Sequence, residues 1–94
     1  MHYSASKAAV IGLTKALARE VAPSNIQVNC VAPGVIDTKM NACFSEEELR
    51  ALKEEVPLGR FGKPEEVASL IAFLASEKAD YITAQVIGID GAFI

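Results

Sequence analysis

Residues 26–34 read IQVNCVAPG. Ile26, Val28, Cys30 and Ala32 alternate with Gln27, Asn29 and Val31, the period of two that marks a strand. Pro33 and Gly34 end it, since proline lacks the ladder N–H and the pair has turn chemistry. On the N-terminal side, residues 3–22 are rich in Ala, Leu and Lys and predict a long helix. Val10, Leu13, Leu17 and Val21 form a bulky stripe on it; Ala5, Ala8, Ala9, Gly12 and Ala16 form a stripe of small residues. A helix apolar on most sides is expected to be buried on most sides. The sequence APSN, residues 22–25, stops it.

On the C-terminal side, residues 35–42 read as a loop. Ser45 and Glu48 then form a capping-box pattern, and Leu49, Leu52 and Val56 are expected to face inward from the short helix that follows. PLGRFGKP is a turn. Pro64 suits the first position of another helix, with Glu65 and Glu66 at its electropositive end and Val67, Leu70, Ile71 and Leu74 as its core face. QVIGIDG, residues 85–91, is a second apolar strand ended by Asp90 and Gly91. The order is helix, strand, short helix, helix, strand. A crossover between two strands implies parallel pairing and a right-handed α/β unit. Two strands are few for a parallel sheet, which normally has more neighbours and both faces covered. The expected class is therefore part of a larger α/β sheet, with residues 1–94 as a single partial domain.

Composition narrows the function. The 94 residues are 51% apolar with a net charge of −3. A chain of this size buries roughly 60–68% of its unfolded surface, enough for a small core. The apolar content argues against disorder. No Lys/Arg-rich run favours nucleic acid or acidic lipid. No apolar run reaches the length of a membrane span, and no signal-like N-terminus is present. Cys30 and Cys43 make no CxxC pattern, nor a zinc pattern with the single His2. Two thiols in a reducing, cytoplasmic compartment are expected.

Tyr3 and Lys7 stand four apart on the first helix and so share a face. A phenol with a pKa of about 10 exchanges protons poorly at neutral pH. A nearby ammonium lowers that pKa. Reaching about 7 takes roughly 4 kcal/mol of differential stabilisation, more than one lysine supplies, so a cationic ligand or further donors must contribute. A phenol so tuned can protonate a carbonyl oxygen while hydride reaches the carbon. The spacing alone also suits a solvated Tyr–Lys pair. Glu46–Glu48 read as a solvated helix start, and Cys43 has no evident base beside it.

Four blocks taken together, YSASKAAVIGLTKALARE, IQVNCVAPGVIDTKM, VPLGRFGKPEEVASLIAFLAS and YITAQVIGIDG, resemble the short-chain dehydrogenase/reductase family. Their order and spacing are similar to the C-terminal portion of its Rossmann-like, doubly wound sheet. PLGRFGKPEEVA is most similar to the 3-oxoacyl-[acyl-carrier-protein] reductases of fatty acid biosynthesis. The resemblance implies NAD(P)H-dependent reduction of a carbonyl to a hydroxyl. It implies Tyr3 as the catalytic acid/base, and Lys7 as its assistant and ribose ligand. Pro33 and Gly34 are implied as a backbone wall beside the nicotinamide. Ile36, through its backbone, and Thr38, through its hydroxyl, are implied to hold the carboxamide or a nearby phosphate. No metal is implied. Asn29, Arg60 and Pro64 match recurrent positions expected to be structural, and residues 39–56 match a substrate loop and its helix. Relatives often carry glycine where this chain has Ala84 and Ala92.

The family's glycine-rich phosphate loop, and the asparagine and serine that complete its catalytic tetrad, have no counterpart in these residues. The expectation is a C-terminal fragment that alone neither turns over a carbonyl substrate nor binds NAD(P)H tightly. Family members assemble as dimers and tetramers, so a homo-oligomer is expected. The alternative reading is a non-catalytic oligomerisation or interaction module.

Overall fold

A computed structural model describes residues 2–92, without the side chains of residues 2–4, 40 and 41. Three α-helices and two strands follow in the expected order: α1 (His2–Val21), β1 (Cys30–Pro33), α2 (Glu46–Glu54), α3 (Pro64–Leu74) and β2 (Val86–Ile89). β1 and β2 pair with each other. Cys30 N–H donates to Gln85 O at 2.9 Å and Gly34 N–H to Ile89 O at 3.1 Å. Both residue numbers rise together, so the pairing is parallel, as the crossover requires. Short 3₁₀ turns occupy Ala22–Ser24, Lys39–Cys43 and Glu77–Ala79. The second of these is a correction, because it lies largely within the stretch read as a plain loop.

The chain divides into two compact units, Met1–Val31 with Ala72–Ile87, and Ala32–Ile71 with Gly88–Ile94. In the first, the long helix departs from expectation. Val10, Leu13 and Leu17 are 48%, 66% and 40% exposed, and the small-residue stripe is exposed as well. The line turned inward is instead Lys7, Ile11, Thr14, Ala18 and Val21, with Ala18 almost fully buried. These positions alternate steps of four and three, the spacing of one helix face. Thr14 is buried without penalty because its hydroxyl donates to Val10 O at 2.7 Å. A helix apolar all round does not announce which face its own chain covers.

The strand expected from residue 26 is a ladder only from Cys30. Before that, side chains bond alongside the backbone bond from Ala84 N–H to Val28 O. Gln27 Nε2 donates to Ala79 O and Ile82 O, Asn29 Nδ2 donates to Ile82 O, and Thr83 Oγ1 accepts from Val28 N–H. Asn29 Oδ1 accepts from Gln85 N–H at 3.1 Å, so Asn29 is structural as expected. The alternation of polar and apolar residues is real, but its polar members bond to a turn rather than to solvent.

In the second unit, Ser45 and Glu48 form the full capping box: Glu48 N–H donates to Ser45 Oγ at 3.1 Å and Ser45 N–H to Glu48 Oε1 at 3.0 Å. These bonds hold the Glu48 carboxyl below its ordinary pKa. Leu49 and Leu52 are half-buried and Val56 is buried, as the spacing predicts. On α3, Val67, Leu70 and Leu74 are half-buried, but Ile71 is 53% exposed, a correction to its core assignment.

Candidate active site

The candidate residues fall in both units. Tyr3 and Lys7 belong to α1, and Pro33, Gly34, Ile36 and Thr38 to the stretch leaving β1. The side chain of Tyr3 lies outside the described residues, as does that of His2. Its backbone position is the next step up the line of Lys7, Ile11, Thr14 and Ala18. Lys7 lies on the face of α1 that its own unit covers, and its side chain is half-buried.

Gly34 is a glycine for a reason found far away in sequence. A Cβ there would stand 2.6 Å from Asp90 Cβ and 2.8 Å from Asp90 Cα, closer than real Cβ atoms come. The carboxyl ends of β1 and β2 thus meet at bare backbone. In open α/β sheets that end is where ligands bind. Pro33, exposed, brings no N–H to the turn. Ile36 bridges in parallel to Gly62. Gly62 N–H donates to Val35 O at 3.0 Å, and Asp37 N–H donates to Gly62 O at 2.8 Å. A Cβ on Gly62 would stand 2.8 Å from Ile36 Cδ1. Thr38 follows at once and is exposed.

The turn carrying Gly62 is tied down by charge. Arg60 grips Glu66 with two parallel bonds, Nη1 to Oε1 at 2.8 Å and Nη2 to Oε2 at 2.9 Å, and Nη1 also donates to Phe61 O. Glu66 Oε1 accepts from Lys63 N–H at 2.9 Å as well, completing half a capping box at the start of α3. These contacts, the Arg60 bond foremost, hold the Glu66 carboxyl down to about 2, and Glu66 raises the Arg60 guanidinium. Arg60 is structural, as expected. Lys53 Nζ lies 5.5 Å from the Phe61 ring centroid, over its face. The hollow lined by Leu58, Arg60, Gly62, Glu66, Ile89 and Asp90 measures about 80 Å³, too small to enclose a dinucleotide.

Within the second unit, the exposed Thr38 hydroxyl follows a stretch of close-approach backbone at Gly34. Among the described residues, no group of three His, Cys, Asp or Glu could hold a metal ion, and no helix is long and apolar enough to cross a membrane. Cys30 and Cys43 share no disulfide.

The family described as enoyl-(acyl carrier protein) reductase matches residues 1–93. The chain belongs to the short-chain dehydrogenase/reductase family. It is 56% identical over 91 residues to 3-oxoacyl-[acyl-carrier-protein] reductase FabG of Aquifex aeolicus, a match covering 97% of this chain and 37% of that protein. The structure is similar to a short-chain dehydrogenase/reductase from Serratia marcescens, with a TM-score of 0.86 and 46% identity over 97% of this chain and 37% of that one. It is also similar to 3-oxoacyl-[acyl-carrier protein] reductase from Brucella melitensis, with a TM-score of 0.91 and 38% identity over 99% of this chain and 35% of that one. The chain therefore spans little more than a third of the length of these short-chain dehydrogenases/reductases. One connection within it escaped sequence reasoning: the link from Glu66 through Arg60 and Gly62 to residues 35–37. Its one sequence signal is a Glu three residues beyond Lys63.

Proposed function

We propose that this chain supplies the proton-donor helix and part of the nicotinamide wall of an NAD(P)H-dependent carbonyl reductase acting on a 3-oxoacyl-type substrate. The observation that carries the reading is the 56% identity over 91 residues to a 3-oxoacyl-[acyl-carrier-protein] reductase, in a chain where the half-buried Lys7 follows Tyr3 by four residues on α1. Lys7 lowers the Tyr3 pKa and holds the ribose. Pro33 and Gly34 form the flat wall, whose bare backbone admits a planar ring. The Ile36 backbone and the Thr38 hydroxyl hold the carboxamide. When bound, the nicotinamide supplies hydride to the carbonyl carbon. Tyr3 holds its proton at Oη and gives it to the carbonyl oxygen. The 94 residues by themselves are silent in this reading, because no glycine-rich phosphate loop stands among them.

The test is a chimera in which this segment replaces the matching 91 residues of the Aquifex aeolicus enzyme. The chimera should reduce a 3-oxoacyl thioester, and Tyr3→Phe should lower kcat by about 10²-fold or more. Unchanged kcat in Tyr3→Phe, or a folded chimera that binds cofactor without turnover, overturns the reading.

The exposed Val10, Leu13 and Leu17 support a second role for α1 in self-association, giving a homodimer or tetramer. A monodisperse monomer by light scattering at micromolar concentration would exclude it.

A further inference from the structure

The residues proposed to hold the nicotinamide stand on a stretch bonded to the 60–63 turn. Thr38 is exposed, and the run from Val35 to Asp37 bonds through its backbone to Gly62. Gly62 in turn lies between Arg60 and Lys63, both bonded to the same carboxylate, Glu66. The order of contacts is continuous. Glu66 fixes Arg60 and Lys63, Arg60 also holds Phe61 O, and the peptide between them presents Gly62 N–H to Val35 O and Gly62 O to Asp37 N–H.

We propose that Arg60 and Glu66 are positioning residues for the cofactor stretch at residues 34–38, acting through the Gly62 bridge. Neither side chain needs to touch the ligand. Their bidentate bond limits how far the 60–63 turn can swing, and the bridge passes that limit to Ile36 and its neighbours. Three features support the coupling. Gly62 packs closely on Ile36: a Cβ there would stand 2.8 Å from Ile36 Cδ1, so the Ile36 side chain would have to shift. The bridge uses both polar groups of one peptide residue, so it is lost or kept as a unit. Glu66 stays ionised through the whole neutral and mildly acidic range, so the clamp does not open on ordinary acidification. A cofactor binding only the held conformation gains apparent affinity in proportion to the fraction held. For an exposed bidentate pair the expected factor is about 2- to 5-fold.

The proposal rests on the assignment of residues 34–38 to the nicotinamide, and two measurements separate the two. The first is amide hydrogen exchange on this chain, comparing Arg60→Ala, Arg60→Lys and Glu66→Gln with the parent. Faster exchange at Gly62 and Asp37 is expected in Arg60→Ala, with partial recovery in Arg60→Lys. Faster exchange at Lys63 alone would make the pair a helix cap only and overturn the coupling. The second is steady-state kinetics of NADPH in the Aquifex chimera. Arg60→Ala should raise the NADPH KM about 2- to 5-fold and leave kcat within about two-fold, the signature of lost uniform binding. Coupled exchange with an unchanged KM, in Arg60→Ala and in Thr38→Val alike, would refute the nicotinamide assignment while leaving the coupling intact. A raised KM in Thr38→Val with none in Arg60→Ala would refute the positioning role.

Discussion

Ala84 and Ala92 both sit at positive φ, +62° and +69°, and Ala84 is the half-buried one of the two. Its peptide is held from both sides: Ala84 N–H donates to Val28 O at 2.8 Å, and Lys15 Nζ donates to Ala84 O at 3.3 Å. The left-handed conformation costs an L-residue roughly 1–2 kcal/mol, and glycine adopts it freely. Replacing Ala84 by glycine recovers that cost. Against it stand the greater freedom of unfolded glycine, about 0.4–1 kcal/mol, and the loss of a partly buried methyl, about 0.4 kcal/mol at half the value of a full CH₂. Central values leave a gain of about 0.4 kcal/mol, or a rise in Tm of about 2–3 °C for a domain of this size. Both hydrogen bonds use only backbone atoms of residue 84 and survive the change. Asparagine tolerates the left-handed region better than alanine, whereas a β-branched side chain there is a genuine outlier. The expected order of stability is therefore Ala84→Gly and Ala84→Asn above the parent, with Ala84→Val below it by more than about 1 kcal/mol. Urea unfolding followed by circular dichroism, with unchanged slope, gives the order directly. Ala84→Val as stable as the parent would show that residue 84 is not held at positive φ, and the reasoning would fall.

Gly34→Ala should destabilise the chain by about 1–3 kcal/mol, because its methyl would stand 2.6 Å from Asp90 Cβ with backbone on both sides; equal urea midpoints for variant and parent would contradict that approach. Glu66 gives a pH dependence of definite sign. Its folded pKa, about 2, lies below the ordinary 4.5, so its contribution is fully present above about 4.5 and is lost as pH falls towards 2. Glu66→Gln should lack that share of acid destabilisation, and added salt should shrink the difference, since the pair is exposed; parallel acid titrations for parent and variant would show no linkage.

What the sequence discloses depends on how far apart the interacting residues lie. The Ser45–Glu48 box closes within four residues, and its pattern alone predicts both bonds. The strand order and parallel pairing are legible for a similar reason, since each element carries its own period and the crossover allows one answer. The face of α1 is different. Val10, Leu13 and Leu17 are exposed, and the covered line runs through Lys7, Ile11, Thr14, Ala18 and Val21, of which the expected bulky stripe contains only Val21. The glycines carry the same lesson. Pro33–Gly34 reads correctly as a turn, but a turn tolerates many residues. What demands glycine is Asp90, 56 positions later, pressed against its Cα. Gly62 packs against the tip of the Ile36 side chain, and Ala84 keeps a positive φ that nothing in an alanine announces. Local chemistry places the candidate residues along the chain. The bare backbone around them is decided by close approaches between segments, which only the folded chain contains.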